Sequence, residues 1–443
     1  MRPQLLRFSI VLAAEILCCA ALNLFDDWTL EEMPVKFVAV AMLGGVAYLF
    51  AVWEFPVLTN RRAQAIVFWT VAIVLRLVVL PLEPGDDLWR YQWEGKIQRA
   101  GFNPYVHAPD DPKLAPVRAE FPEWHRINHR DFRAIYPPGA ELLFAGGSRI
   151  SDRPLFYKLL FAGADLGTIA LLLLLVGGTS RYANAAWYAW NPLVVYSFAG
   201  AAHFDSLMIL PMTAGVLFLT RFETAPDSRR NWSLALAASA AFGVAISIKL
   251  VPVLLLLTCV FALGFRAITL VVSLGIPALL STFYGWPKIH IWESLGRFAH
   301  VTRLNDLFWW LIEETVWPNP HQKNYHYNVI LIICVALVSL LFWRNWKRGM
   351  IWVFGTALIL SPVLHPWYCA WILPLAAWRH AYAWFVFSIT LFAYFLFWNE
   401  RLFLLPWHAE PWMRGIIILP ALAVAVLSGL AQRAQRAQRK VTS

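Results

Sequence analysis

The chain has 443 residues and a formal net charge of +10, yet only 14% of its residues are charged and 59% are hydrophobic. Mean hydropathy is +0.56, and apolar runs long enough to cross a hydrocarbon core recur from end to end, which excludes a soluble enzyme. The basic residues sit in short loops between apolar runs, not on a solvated face with interleaved aromatics, which excludes a nucleic-acid binder.

In chain order, candidate spans fall near 5–24, 35–54, 63–82, 154–177, 183–200, 203–220, 231–247, 251–264, 266–284, 326–343, 349–364, 367–379, 381–398 and 411–431. That is about 13–14 transmembrane helices, several of them short by the length criterion. The expected fold class is an all-α polytopic membrane protein with a single integral membrane domain over 1–443. The first span is long for a cleaved signal and reads as a signal anchor. The five cysteines, Cys18, Cys19, Cys259, Cys334 and Cys369, lie in or beside apolar segments without metal-ligand or disulfide spacing.

Lys and Arg gather at the N-terminus, at Arg61 and Arg62, at Arg229 and Arg230, and at Arg344, Lys347 and Arg348. They gather again in the tail, 432–443, at Arg433, Arg436, Arg439 and Lys440; all these face the cytoplasm by the positive-inside rule, and the tail can touch anionic lipid. Two large loops, 83–153 and 285–325, then fall together on the outer side. This parity requires that the segment starting Pro137-Pro-Gly139 does not span; it is short, begins with prolines and reads as a juxtamembrane or re-entrant helix.

The first large loop opens with Asp86 and Asp87, directly after the third span. One aspartate would serve to cap a helix; two carboxylates beside a bilayer are costly unless solvent, a cation or a reaction uses them. Trp89, Trp93 and Ile97 form an apolar stripe, which predicts an amphipathic helix lying on the outer surface with its tryptophans at headgroup level. Gly101 stops it, and Asn103-Pro104 keeps it from restarting. Asp87, Tyr91 and Glu94 share one face, with Arg90 elsewhere on the wheel.

Other polar groups also need an explanation. They are His203-Phe-Asp205 at the start of a span, Lys249 between two apolar segments, His365-Pro-Trp-Tyr368, and Arg76 inside the third span. Singly, each has a structural account: capping, a helix start, or snorkelling to headgroups. Together they converge on the outer leaflet, and a cavity of carboxylates, cations, histidines and aromatics suits a sugar carried on a lipid phosphate. Cations would hold the phosphate, and a carboxylate would take the proton of an attacking hydroxyl. Glu15 and Asp165, inside spans, read as inter-helix hydrogen-bonding groups.

Asp86-Asp-Leu-Trp-Arg-Tyr-Gln-Trp-Glu-Gly95 followed by Gly101-Phe-Asn-Pro-Tyr105 resembles the first external loop of bacterial GT-C membrane glycosyltransferases. The nearest branch is the polyprenyl-phosphate-mannose-dependent mannosyltransferases, including the alpha-mannopyranosyltransferases. Tyr136-Pro-Pro-Gly139, Asn191-Pro192, His203-Phe-Asp205, Lys249 with Pro252, and His365-Pro-Trp-Tyr368 are similar to later landmarks, in the same order. The resemblance implies a GT-C bundle, a polyprenyl-phosphate sugar donor, inversion at the anomeric carbon, and a catalytic carboxylate at Asp86 or Asp87. Asp86 is the first choice because it lies nearer the span; Asp87 would hold Tyr91, a cation or a metal. Arg76, Arg90, Tyr91, Glu94, His203, Asp205, Lys249, His365 and Tyr368 would line the substrate site.

Some members of that family bind Mg²⁺ or Mn²⁺ at the acidic motif and others do not, so the resemblance leaves a cation open. Two spans precede the one leading into the motif, where many relatives have none, and Glu94 replaces the usual aspartate before the glycine. The expected setting is a bacterial plasma membrane with the site facing outward and a glycan or glycolipid as acceptor. The competing reading is a transporter or flippase of polyprenyl-linked sugars. It would need paired broken helices in two matching halves, a repeat the sequence does not show.

Overall fold

The computed structural model describes residues 3–30, 32–226, 228–321, 323–396 and 411–442. Among them every regular element is a helix. Eight helical stretches are long and apolar enough to cross a membrane: Pro3–Leu24, Met33–Val57, Arg61–Val79, Pro154–Val176, Asp205–Glu223, Arg229–Ile248, Val251–Thr282 and Trp412–Leu430. Tyr325–Leu341 and Ala383–Leu396 are shorter apolar helices. The chain is an all-α polytopic membrane protein.

Continuous spans are fewer than the sequence suggests, and proline and glycine explain much of the difference. The stretch 183–200 breaks at Asn191-Pro192 into Arg181–Ala189 and Pro192–Val195. Asn191 caps the second piece, its Oδ1 accepting from the N–H groups of Leu193 (3.0 Å) and Val194 (3.2 Å). Near 349–379 the chain forms Trp346–Ile359 and Leu373–Arg379, separated by Pro362 and Pro366. The segments 251–264 and 266–284 belong to one apolar stretch, in which Gly264 takes a left-handed φ of 58°. Residues 397 and 398, the end of another expected span, lie outside the described residues.

The chain folds as two compact units. The first comprises 1–83, 176–196 and 365–443; the second comprises 84–175 and 197–364. In the first, α1 (Pro3–Ala21), α2 (Met33–Glu54) and α3 (Arg61–Val79) pack together, and Gly44 and Gly45 let neighbours approach α2 closely. A Cβ on Gly44 would lie 2.9 Å from Cys18 Cβ, and one on Gly45 2.2 Å from Ile389 Cγ2. Small residues serve the same purpose at membrane helix interfaces generally.

The second unit is built on α4 (Asp87–Arg99) and α6 (Pro138–Ile150), the short α5 (Ala115–Ala119) lying between them in the chain. With them pack α7 (Pro154–Val176), α10 (Asp205–Glu223) and α11 (Ser228–Ile248), whereas α8 (Arg181–Ala189) and α9 (Pro192–Val195) belong to the first unit. Helix α4 corrects the expectation of a surface-lying amphipath. Its apolar stripe exists, but Trp89, Trp93 and Ile97 are buried against Leu114, Val117, Phe121 and Ile127 of the loop that follows. Loop side chains, not headgroups, cover the stripe. Gly101, at φ 87°, ends α4, with the Phe102 N–H donating to Ile97 O at 2.9 Å.

Helices α4 and α6 approach at Gly95. Ser148 Oγ donates to the Gly95 carbonyl (2.9 Å), and a Cβ on Gly95 would fall 2.4 Å from Phe144 O and 2.9 Å from Ser148 Cβ. The obstacle is backbone, which cannot rotate away. Gly95→Ala should therefore lower stability by about 1–3 kcal/mol, the usual cost of overpacking, seen as a lower melting temperature in detergent. Gly146→Ala, on the same α6 with open space around it, should leave melting unchanged or slightly raised.

Candidate functional site

The chain enters α4 through Gly85-Asp86-Asp87. The Gly85 N–H donates to Ala201 O (2.9 Å), and a Cβ there would sit 3.3 Å from that oxygen and 3.4 Å from His203 Nε2. On the opposing segment Ala202 adopts φ 61°, unfavourable for a residue with a Cβ. The turn returns the His203 N–H to Ser197 O at 2.8 Å. It sets His203 Nδ1 3.5 Å from Asp87 Oδ2.

Asp86 occupies the N-cap position of α4 but makes no side-chain cap hydrogen bond. Its carboxylate instead accepts from Asn128: the amide Nδ2 lies 3.2 Å from Asp86 Oδ2 and 2.9 Å from Asp87 Oδ1. One amide thus bridges the two aspartates. Its orientation follows from chemistry, since ionised carboxylates only accept. The structural alternative for Asp86, helix capping, is not what its side chain does.

Asn128 stands where it does because of Arg90. This guanidinium is 2% exposed, and all five of its N–H donors are accounted for. Nε donates to Glu94 Oε1 (2.8 Å), Nη1 to the carbonyls of Asn128 (3.3 Å) and His129 (3.0 Å), and Nη2 to those of Phe132 (2.7 Å) and Arg133 (2.9 Å). Arg90, expected to line the substrate site, instead fastens the loop over α4. Tyr91 is 1% exposed, stacked on Phe144 at 4.8 Å with Tyr136 and Phe204 edge-on. Its ring faces are covered, so it offers no platform to a sugar. Burial pushes its hydroxyl pKa well up, with the nearby Asp87 charge adding to the effect.

Glu94 is also buried, behind the site rather than in it. Gln98 Nε2, 3.1 Å from Glu94 O, donates to Glu141 Oε2 at 3.0 Å, and Tyr284 donates to Gln98 Oε1 at 2.8 Å. Burial holds the Glu141 carboxyl well above the usual carboxylate range, and the neighbouring Glu94 adds to this while Arg90 opposes it.

On the other side, Lys249 follows α11 and its Nζ meets Asp205 Oδ1 at 2.5 Å, 5.2 Å from the Phe204 ring centroid. Gly139 lets α6 close on α11 beside it, a Cβ there falling 2.6 Å from Ser247 O. Lys249 keeps 17% of its side chain exposed and Asp87 21%, so both can be reached from outside. The second unit thus assembles Asp86, Asp87, Asn128, His203, Asp205 and Lys249. Asn128 carries no signal in the sequence: it is an isolated amide in a polar loop, without a motif or spacing.

Three expected site residues belong to the first unit. Arg76 is buried, Nη1 donating to Ala72 O (2.7 Å) and Ala189 O (2.8 Å), which ties α3 to the end of α8. That replaces the snorkelling account with an architectural one. His365 stacks on Trp367 at 4.3 Å with its Nδ1 3.2 Å from the Tyr394 hydroxyl, and Tyr368 stacks on Trp371 at 4.2 Å.

The resemblance would give a divalent cation to Asp86 and Asp87. Among the described residues no group of three or more His, Cys, Asp or Glu side chains is gathered as a metal site. The Asn128 Nδ2 points at both carboxylates, so a cation between them would need the amide turned to offer its Oδ1.

Residues 13–265 match a family model whose class is that of mannosyltransferases, which makes the protein a membrane glycosyltransferase. The family is described as Alpha-(1->6)-mannopyranosyltransferase, N-terminal domain; its model spans more than half of the chain, and the chain belongs to it. The matched stretch contains every residue of the second-unit cluster and ends before His365 and Tyr368. Comparison with curated proteins and with solved structures finds no match.

The buried Glu141 carboxyl gives a pH dependence with a definite sign. Glu141 is raised in the folded protein, so its contribution is complete below the ordinary carboxylate pKa and is lost as pH rises through the folded value. Melting temperature in detergent should therefore fall from acid toward alkaline pH in wild type. Glu141→Gln, neutral at all pH, should flatten that slope; an unchanged slope would mean Glu141 is already ionised.

Proposed function

We propose that the protein transfers a hexose, mannose in keeping with its family, from a polyprenyl-phosphate donor to a glycan or glycolipid acceptor. The reaction takes place at the outer face of a bacterial plasma membrane and inverts the anomeric carbon. One observation carries this reading: Asp86 forgoes the cap of its helix and is held with Asp87 by a loop amide, beside a histidine and across from a paired lysine.

In the proposed step the acceptor hydroxyl attacks C1 of the sugar as Asp86 takes its proton. The bond from C1 to the phosphate oxygen breaks, and polyprenyl phosphate leaves with the electron pair. Asp87 lies beside His203 and shares the Asn128 amide with Asp86. Lys249 meets the phosphate, aimed by its pair with Asp205. No step uses a divalent cation, so turnover should survive EDTA; loss restored by Mn²⁺ or Mg²⁺ would reinstate a metal at the pair.

The decisive assay offers purified protein a panel of polyprenyl-phosphate sugars and measures released polyprenyl phosphate. Asp86→Asn should lower turnover by about 10²–10⁴, the usual worth of a positioned base, without loss of folding. Lys249→Gln should weaken donor binding by about 1.5–3 kcal/mol. Movement of donor across vesicles without release of polyprenyl phosphate would support a transporter instead.

Orientation is tested separately. In a cysteine-free background, Glu120→Cys and His321→Cys, on the two large loops, should react with a membrane-impermeant thiol reagent in intact cells. Thr59→Cys, beside Arg61 and Arg62, should react only after lysis. The opposite pattern would place the site in the cytoplasm.

A further inference from the structure

We propose that Asn128 is a positioning residue that sets the aim of both aspartates, acting on the reaction only through them. The inference rests on the reading of Asp86 as base. Two consecutive residues at a helix start project about 100° apart, so their carboxylates share a target only if something draws them together. The Asn128 amide, at 3.2 Å from Asp86 Oδ2 and 2.9 Å from Asp87 Oδ1, spans the gap with a neutral donor.

The placement is built. The Asn128 carbonyl is held by Arg90, which is buried on the same helix as Asp87, while the next residue, His129, takes φ 44° as the loop turns. Helix, loop and carboxylates close a ring: α4 holds the loop through Arg90, and the loop holds the α4 carboxylates through Asn128. A carboxylate at position 128 would keep the shape and reverse the interaction, turning a donor into a third acceptor beside two anions.

The test uses full-length protein and the polyprenyl-phosphate sugar that supports turnover. Asn128→Ala should lower kcat on the order of 10- to 100-fold, the span expected for a hydrogen bond to a charged group, with donor KM little changed. Asn128→Asp, isosteric with asparagine, should fall below Asn128→Ala, and Asn128→Ser, a shorter donor, should lie above both.

A side chain that only fills space predicts the reverse order, with Asp near wild type and Ala lowest; that result overturns the proposal. Arg90 grips the loop through backbone carbonyls, so melting should stay at the wild-type value. Where Asn128→Ala does not fold, Asn128→Ser against Asn128→Asp carries the same contrast. Asp86→Asn and Asp87→Asn in parallel separate the two ideas. Near-normal turnover in both removes the base and with it the role of Asn128. Loss in either one, with Asn128→Asp as active as wild type, removes the Asn128 proposal alone.

Discussion

A guanidinium taken out of water must find an acceptor for each of its five N–H groups or lose several kcal/mol of hydration. Arg90 finds one in Glu94 and four in the carbonyls of residues 128, 129, 132 and 133. Those four carbonyls can converge on one planar fork only if the loop wraps it. The loop conformation, the left-handed His129 and the location of Asn128 all follow from satisfying one buried cation. A lysine, with three donors around a point charge, could not gather the same set.

The same cation explains the acidic residues behind it. Arg90 and Glu94 form a pair whose side chains are each 2% exposed, and a second ionised carboxylate in that volume would be uncompensated. Burial pushes the Glu141 carboxyl pKa up, with the neighbouring Glu94 adding to the effect, and Glu141 accepts from Gln98. Beside this cluster α4 and α6 close at Gly95, where Ser148 donates to the Gly95 carbonyl. The aspartates sit at the other end of α4, partly exposed.

How much of this was legible in the sequence depended on the range of the signal. The start of α4, its stop at Gly101, its apolar stripe and the pairing of Asp86 with Asp87 are local, and periodicity and turn chemistry revealed them. What covers the stripe is not local. Trp89, Trp93 and Ile97 would serve equally at a lipid headgroup layer or under a loop, and nothing in the spacing of the covering residues Leu114, Val117, Phe121 and Ile127 says which surface they cover. The surroundings of Arg90 and Tyr91 are not local either. A charged or aromatic residue beside an acidic motif looks like a ligand contact until its partners are known, and those partners lie about 40 or more residues away in the chain. Proline and glycine breaks were visible as residues, but their power to divide an apolar run into short helices was underestimated at Pro192, Pro362 and Pro366.

Asp86 and Asp87 differ in what surrounds them, and the difference argues for a division of labour. An aspartate at an N-cap ordinarily contributes about 1 kcal/mol by accepting from the first turn, and Asp86 leaves this unused. Its backbone is already helical, with φ −59° and ψ −27°, so the side chain is carried past the first-turn N–H groups and out to the loop. Asp87 lies one position further in, beside His203, which follows Ala202 in its left-handed conformation. A folded chain gives up a helix cap and accepts a left-handed alanine at adjoining points only where the gain is something other than stability. The two departures meet on one pair of carboxylates, which is the strongest physical reason to place the chemistry there.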